Sequence, residues 1–484
     1  MNLCSGPLPS SGLSRRQVLN RFGMGFGGLA LADLLSKSQA QASEGGLEGL
    51  PHFAPKAKRV IFLFQSGGPS QFESFEYKPD LTKFQGKEFD MSLRGGKPLP
   101  GMSTNQASFP LVGGHWKFAQ HGQSGAWVSE IFPHTAQAVD DICFVKSMVS
   151  DAVNHDPALC FMQTGAQLPG RPSMGAWITY GLGTDNQDLP GFIVLISRRE
   201  VDQPLSYRLW DSAFLPTQHQ GVQFRTGKDS VLYLSEPAGV SRKVTRRMLD
   251  ALKELHHQDL ASRPDAEITA RIEQYEMAYR MQTSVPDATD LSKEPETIYD
   301  LYGPDAKKPG SFASNCILAR RLAERGVKFI QLYHPGWDHH GGLPKAYPVS
   351  AQEIDQPCAA LLKDLKQRDM LKDTLVIWGG EFGRTCYSQG NFAAKSANPT
   401  FGRDHHRNCF TFWMAGGGIK PGITYGQSDD IGYNVGSDPV TVNDFHATVL
   451  HLLGIDHERL TFRFQGRDYR LTDVAGRVVK GILA

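Results

Sequence analysis

Five glycine-flanked segments concentrate the side chains of this chain that could do chemistry. The densest is His334-Pro335-Gly336-Trp337-Asp338-His339-His340-Gly341-Gly342. It sets a carboxylate (Asp338) and imidazoles (His340 among them) within reach of one ion, and these residue types ligate zinc and related divalent metals. A loop so rich in glycine is poorly suited to burying histidines for packing alone. Gly380-Glu381-Phe382-Gly383-Arg384 and Gly402-Arg403-Asp404-His405-His406 add two carboxylates, two imidazoles and two guanidinium groups. Converging on one sheet edge, these groups would hold metals and a phosphate or sulfate ester.

Two further segments carry candidate nucleophiles. In Gln65-Ser66-Gly67-Gly68-Pro69-Ser70-Gln71-Phe72-Glu73 the glycines would let the backbone approach a ligand, with Ser70 or Glu73 reaching it. The same run also reads as a tight turn with a capping serine. Asn154-His155-Asp156-Pro157-Ala158, running through Thr164-Gly165 into Gly170-Arg171-Pro172-Ser173, opens a helix whose N-terminal amides favour negative charge. Read plainly, it is an N-cap made by Asn154 or Asp156.

Strands must hold these loops. Arg59 to Phe64, Val327 to Leu332 and Thr374 to Trp378 are continuous apolar runs, two of them closed by glycine pairs, as expected of strands in a parallel sheet covered on both faces. Helical patterns precede two of them, Ser311 to Arg325 and Ser350 to Gln367, and alternating helix and strand is the α/β signature. Ligands in open α/β sheets gather at the carboxyl ends of strands, where the loops above fall. Ser241 to Met281 is charged and helix-prone, with Leu249, Leu252 and Leu255 at helical spacing, and Thr283 to Pro295 is polar. An inserted helical cap or arm at about 240–285 is expected, its charges forming a solvated face.

The N-terminus carries Ser14-Arg15-Arg16-Gln17-Val18-Leu19, a weakly apolar Gly-rich stretch from Phe22 to Leu35, and Ala40-Gln41-Ala42. A basic n-region, a short h-region and an A-x-A site make a signal peptide, and the paired arginines resemble those of twin-arginine signals. The expected division is a signal over residues 1–42 and a catalytic-type domain over 43–484, with passage through the twin-arginine machinery to the periplasm or medium. The apolar stretch is too short for a membrane span of roughly 20 residues.

Composition narrows the partners. With 51 basic and 50 acidic residues the chain is near neutral, which argues against nucleic acid and favours small-molecule or glycan ester substrates. Seven cysteines lie singly, with no C-x-x-C pair. Disulfides are compatible with export, but no pairing can be read, and Cys143 and Cys160 sit in apolar runs like buried small hydrophobes.

Across nearly the whole length after the signal, the motifs resemble those of the bacterial family of domain of unknown function 1501, a branch of the alkaline phosphatase and sulfatase superfamily. The resemblance is carried by Gly67-Gly68-Pro69-Ser70, Gly170-Arg171-Pro172-Ser173-Met174-Gly175-Ala176-Trp177, Tyr275-Glu276-Met277-Ala278, Gly336-Trp337-Asp338-His339-His340, Gly380-Glu381-Phe382-Gly383-Arg384-Thr385, Gly402-Arg403-Asp404-His405 and Leu452-Leu453-Gly454-Ile455-Asp456-His457. It implies an alkaline phosphatase-like α/β sandwich, a mostly parallel central sheet flanked by helices. It also implies divalent metal, zinc or calcium, with Asp338, His340, Glu381, His405 and Glu73 as candidate ligands. The catalytic candidates are His155 or Ser70 as nucleophile, Glu381 as ligand or base, and Arg384 or Arg403 as anion clamp.

The pattern also departs from the superfamily. Gln65-Ser66-Gly67 stands where an Asp follows the first strand, Phe382 where an Asp-His pair has its His, and the sulfatase nucleophile position falls on His155. The resulting expectation is a metal-dependent hydrolase of phosphate or sulfate esters. The alternative is a non-catalytic carbohydrate- or partner-binding protein on the same scaffold, and a sugar-phosphate mutase is a third reading.

Overall fold

The computed structural model describes residues 46–484 except 97–98, 100–102, 104–105, 198–202, 226–229, 232–233, 237–238, 263–265 and 390–399. The signal segment lies outside the described residues.

The strands that matter for the site are, in chain order, β1 (Arg59–Phe64), β2 (Ile142–Val149), β3 (Phe192–Ile196), β4 (Val222–Phe224), β5 (Phe329–Tyr333), β6 (Thr374–Gly379), β7 (Gly383–Gln389), β8 (Gly402–His406), β9 (Phe410–Ala415), β10 (Ile423–Tyr425) and β11 (Val440–Thr441). The helices are α1 (His155–Thr164), α2 (Met174–Leu182), α3 (Arg242–Ser262), α4 (Ala266–Thr289), α5 (Phe312–Glu324), α6 (Leu343–Gln367) and α7 (Val442–Leu452). One sheet of nine strands runs β10-β2-β9-β6-β1-β5-β3-β4, with β11 also paired to β2. β1 pairs in parallel with β5 and β6, as β3 does with β5 and β4, while β9 runs antiparallel to β2 and β6. The three expected central strands are therefore neighbours, and the loops that follow them open on one edge.

Alternate residues of the central strands feed two cores. Ile61 and Leu63 face one helical layer, with Ile330, Trp378 and residues of α5 and α6. Val60, Phe62 and Phe64 face the other, with Ile377, Phe412 and residues of α1, α2 and α7. Burial on both faces explains why these strands are apolar throughout instead of alternating.

Helix boundaries follow local chemistry. α5 begins where Ser311 Oγ accepts the Ser314 amide, one residue inside the expected range. α6 starts earlier than expected, at Leu343: Pro344 in the first turn is tolerated because its missing N–H would have had no intrahelical partner. The expected arm is the pair α3 and α4. Its second helix continues through Pro286 to Thr289, so part of the stretch read as polar connection is helical. Cys143, Cys160, Cys316, Cys358, Cys386 and Cys409 are all buried and unpaired. No helix of the described residues is long and apolar enough to cross a membrane.

Candidate metal centre at the strand ends

The loop after β5 carries Asp338 and His340. The loop after β6 carries Glu381, and the residue opening α1, beyond β2, is His155. Hairpin β7–β8 folds over this edge and brings His405 and Arg384 together, with His405 paired to Arg384 across the ladder. Two glycines permit the approach. A Cβ on Gly402 would stand 2.0 Å from the His340 carbonyl carbon, and one on Gly67 (φ +114°) 2.7 Å from the Trp337 amide nitrogen. The glycines of the first loop thus serve the meeting of loops with each other.

The side chains of His155, Asp338, His340 and His405 place one ligand atom each within 4.8 Å of all the others. Asp338 Oδ1 lies 2.8 Å from His340 Nε2 and 3.1 Å from His405 Nε2, and Oδ2 lies 3.1 Å from His155 Nε2. The two Nε2 atoms of His340 and His405 are 3.0 Å apart. The opposite nitrogen of every ring is held from outside. His155 Nδ1 donates to Glu381 Oε1 at 2.6 Å, His405 Nδ1 to the Val153 carbonyl at 2.8 Å, and His340 Nδ1 to Gln389 Oε1. Since these partners only accept, each Nδ1 carries a proton and each Nε2 faces inward, where it offers a lone pair to a cation or, when itself protonated, donates to Asp338.

Three inward nitrogens around one carboxylate need a shared positive charge. A divalent ion answers that need, and the outer acceptors are those that orient histidine ligands at metal sites. The half-buried group could therefore hold a divalent metal ion. Glu381 is one step removed: its Oε1 also accepts from the Gly67 amide at 2.9 Å, so it steers His155. Phe382 packs on the rings of His155 and His405 at 5.1 and 4.4 Å and forms an apolar wall.

Electrostatics follow from the geometry. Burial works to raise the Asp338 carboxyl, but hydrogen bonds from His155, His340 and His405 and the charge of Arg384 outweigh it and hold the group far below the usual carboxylate range. For His155, burial opposes the charge, yet Asp338 and Glu381 raise it to about 9. His405 is lowered to about 4, chiefly by burial against a partial gain from Asp338.

The other candidates lie elsewhere. Ser70, Glu73 and Arg403 make a separate buried network. Arg403 Nε and Nη2 bind Glu73 at 3.0 and 2.8 Å, its Nη1 and Nη2 donate to the carbonyls of Val112, Thr385 and Gly113, and Ser70 Oγ donates to Glu73 Oε2. With both its oxygens taken, Glu73 is not placed among the ligands, and Ser70 is not placed as a nucleophile. Arg384 is 1% exposed and donates to the Gly68 and Arg403 carbonyls at 2.7 and 3.0 Å, to Gly67 O, and to Asp338 Oδ1 at 2.6 Å. It ties the loops together and braces Asp338, and both arginines are buried and bonded to protein groups. Asn154 is the N-cap of α1 without a side-chain cap bond, and Asp156 pairs with Arg208. Gln389 escaped the sequence reading: nothing marks a lone glutamine 49 positions from the histidine it orients.

Fold and site together define an α/β protein with a histidine–aspartate cluster at the carboxyl edge of a mostly parallel sheet. The chain belongs to the family described as "Protein of unknown function (DUF1501)", which it matches over residues 57–483. No curated protein matches it in sequence. Among solved structures it is similar to Ps i-CgsB in complex with k-i-k-neocarrahexaose (10% identity, 83% of this chain and 72% of that one, TM-score 0.35). It is also similar to the PsFucS1 sulfatase from Pseudoalteromonas sp. (12%, 85% and 70%, 0.32) and to alkaline phosphatase from the Antarctic bacterium TAB5 (11%, 83% and 99%, 0.33).

Proposed function

We propose that the protein is an exported, metal-dependent hydrolase of phosphate or sulfate esters, with His155, Asp338, His340 and His405 as the metal ligands. The observation that supports this reading is the inward turn of three imidazole Nε2 atoms onto Asp338, each ring fixed from behind by its own acceptor. Three nitrogens and one carboxylate suit zinc or a similar transition metal better than calcium, which takes about 6–8 oxygens. A bound ion would supply Lewis-acid polarisation of the ester.

The chain's own residues then have defined tasks. His155 is a ligand, because its Nε2 faces Asp338 and its Nδ1 is spent on Glu381, so attack by its ring would require leaving both. Glu381 holds His155 in the ligating tautomer. Arg384 offsets the charge of Asp338, and Phe382 keeps water off one side. Asp338 and His340 retain side-chain exposures of 26% and 32%, and substrate is expected to enter from their side.

A second reading, a binding protein for carbohydrate or a partner, is favoured by one observation: both arginines near the cluster are buried and bonded to protein groups instead of standing open to a substrate anion. Metal analysis of the natively exported protein, with a screen of aryl phosphates, phosphodiesters and sulfates, separates the two. Stoichiometric metal and turnover, both lost in Asp338→Ala and His405→Ala, are the expected results. Absence of metal and turnover in the folded protein would refute the hydrolase. Export through the twin-arginine route is tested by Arg15→Lys with Arg16→Lys, which is expected to strand the protein in the cytoplasm.

A further inference from the structure

The arm formed by α3 and α4 has its amphipathicity turned outward. Its inner contact is polar and aromatic: Arg246 binds Glu276 through two bonds of 2.8 and 2.7 Å, and the guanidinium groups of Arg242 and Arg246 sit 4.7 and 5.0 Å from the Tyr279 ring centroid. Arg246 also binds Asp250 on its own helix at 2.9 Å. Val244, Met248, Leu252 and Leu255 point away from this contact and are 44%, 57%, 37% and 57% exposed. With exposed Ala251 they recur at i, i+4, i+7, i+8 and i+11, a continuous apolar stripe along three turns of α3. A contiguous stripe of this kind, rimmed by charges, marks a docking surface.

The rim identifies the occupant. If Val244, Met248, Ala251 and Leu255 are taken as the apolar seam of a helix pair, Arg247 and Glu254 both fall on the same flank, one heptad apart. Both are exposed, and neither has an ion-pair partner among the described residues. Along this helix Arg242, Lys243, Arg246 and Arg247 occupy the first half, while Asp250 and Glu254 follow. A parallel copy would set basic half against basic half. An antiparallel copy sets Val244 opposite Leu255, Met248 opposite Ala251, and Arg247 opposite Glu254, with every contact made twice about a twofold axis. That surface is self-complementary in apolar seam and in charge, as an isologous contact requires.

We propose that α3 docks on α3 of a second copy of this chain, antiparallel, so that the protein pairs through its arm. The test is sedimentation velocity of the full chain at micromolar concentrations. Wild type is expected to be dimeric, and Met248→Glu with Leu255→Glu monomeric with unchanged circular dichroism, since both positions are exposed. Arg247→Glu and Glu254→Arg are each expected to raise the dissociation constant several-fold, and the two together to restore it. A wild type that stays monomeric overturns the proposal, as does a charge-swapped chain no tighter than the single variants, or a dimer indifferent to the Met248 and Leu255 substitutions.

Discussion

Two polar networks share the β7–β8 hairpin and each sets an arginine against a carboxylate, yet they differ in how fully their bonding capacity is used. In the network of Arg403, Glu73 and Ser70, Arg403 and Glu73 are both 0% exposed, both carboxylate oxygens are engaged, and the guanidinium distributes its N–H groups between Glu73 and three carbonyls. Charge and hydrogen bonds close within the protein. Around Asp338 they do not: His340 and His405 point their Nε2 atoms at each other across 3.0 Å, and His155 turns a third toward the same carboxylate. A closed network holds a fold, and one with surplus converging lone pairs is prepared for a cation.

The largest expected effect falls on the closed network. Arg403→Ala leaves Glu73 charged and buried without compensation, and its cost is expected at about 3–5 kcal/mol of stability in denaturant unfolding. Ser70→Ala removes one bond to the same carboxylate and is expected to cost about 1–3 kcal/mol. In both variants the metal content per folded molecule should match wild type. Loss of metal from folded Ser70→Ala would erase the distinction between the two networks.

A histidine outside both networks sharpens the contrast. His446 is buried, donates Nε2–H to the Met162 carbonyl and has no carboxylate beside it; burial lowers it to about 4. Above its unfolded value of about 6.5 both states are neutral and the shift contributes nothing. As pH falls from there to about 4, only the unfolded chain takes up the proton, so stability should drop by about 1.4 kcal/mol per pH unit and then level off. His219, lowered to about 4 by burial alone, adds a second such loss. Unfolding curves between pH 7 and pH 4 should show the slope, and His446→Gln should reduce it. An unchanged slope in that variant would place the acid sensitivity elsewhere.

These differences set the limit of what the sequence shows. The central strands and the helices before them were legible because burial on both faces leaves unbroken apolar runs, and the site's location followed from glycine-flanked polar loops after them. Asp338, His340 and His405 could be singled out because they stand in polar, glycine-flanked segments, but the same reasoning also marks His334 and His339, which are 0% and 8% exposed and pack against aromatic rings. Arg403 and Glu73 stood out equally, because type and spacing reveal a charge but not whether its partner lies inside the protein. The task of His155 depends on Glu381, 226 positions away, and that of His340 on Gln389. Contacts of that range are set by the packing of β7–β8 onto the sheet edge and leave no local periodicity. The outward stripe of α3 had the reverse difficulty: its leucines were visible, but which face they occupied depended on Arg246 finding Glu276.

The smallest expected effect is also the most specific to the open network. Gln389→Ala removes the acceptor behind His340, and Glu381→Gln replaces the carboxylate behind His155 by an amide of the same shape. Neither touches an inward Nε2, so the four ligands remain. Losing an outer acceptor frees the ring to rotate or change tautomer, and at metal sites this typically costs about 10–100-fold in affinity. Competition with a chelator is therefore expected to show metal affinity falling by that range in each variant, with unfolding midpoints close to wild type. Because one oxygen, Oε1, accepts from both the Gly67 amide and His155 Nδ1, the amide oxygen of Glu381→Gln can keep both bonds, and that variant loses only the charge behind His155 and should fall at the low end of the range. If Gln389→Ala and Glu381→Gln bind metal as tightly as wild type, the outer acceptors are bystanders, and the inward turn of the imidazoles would need another cause.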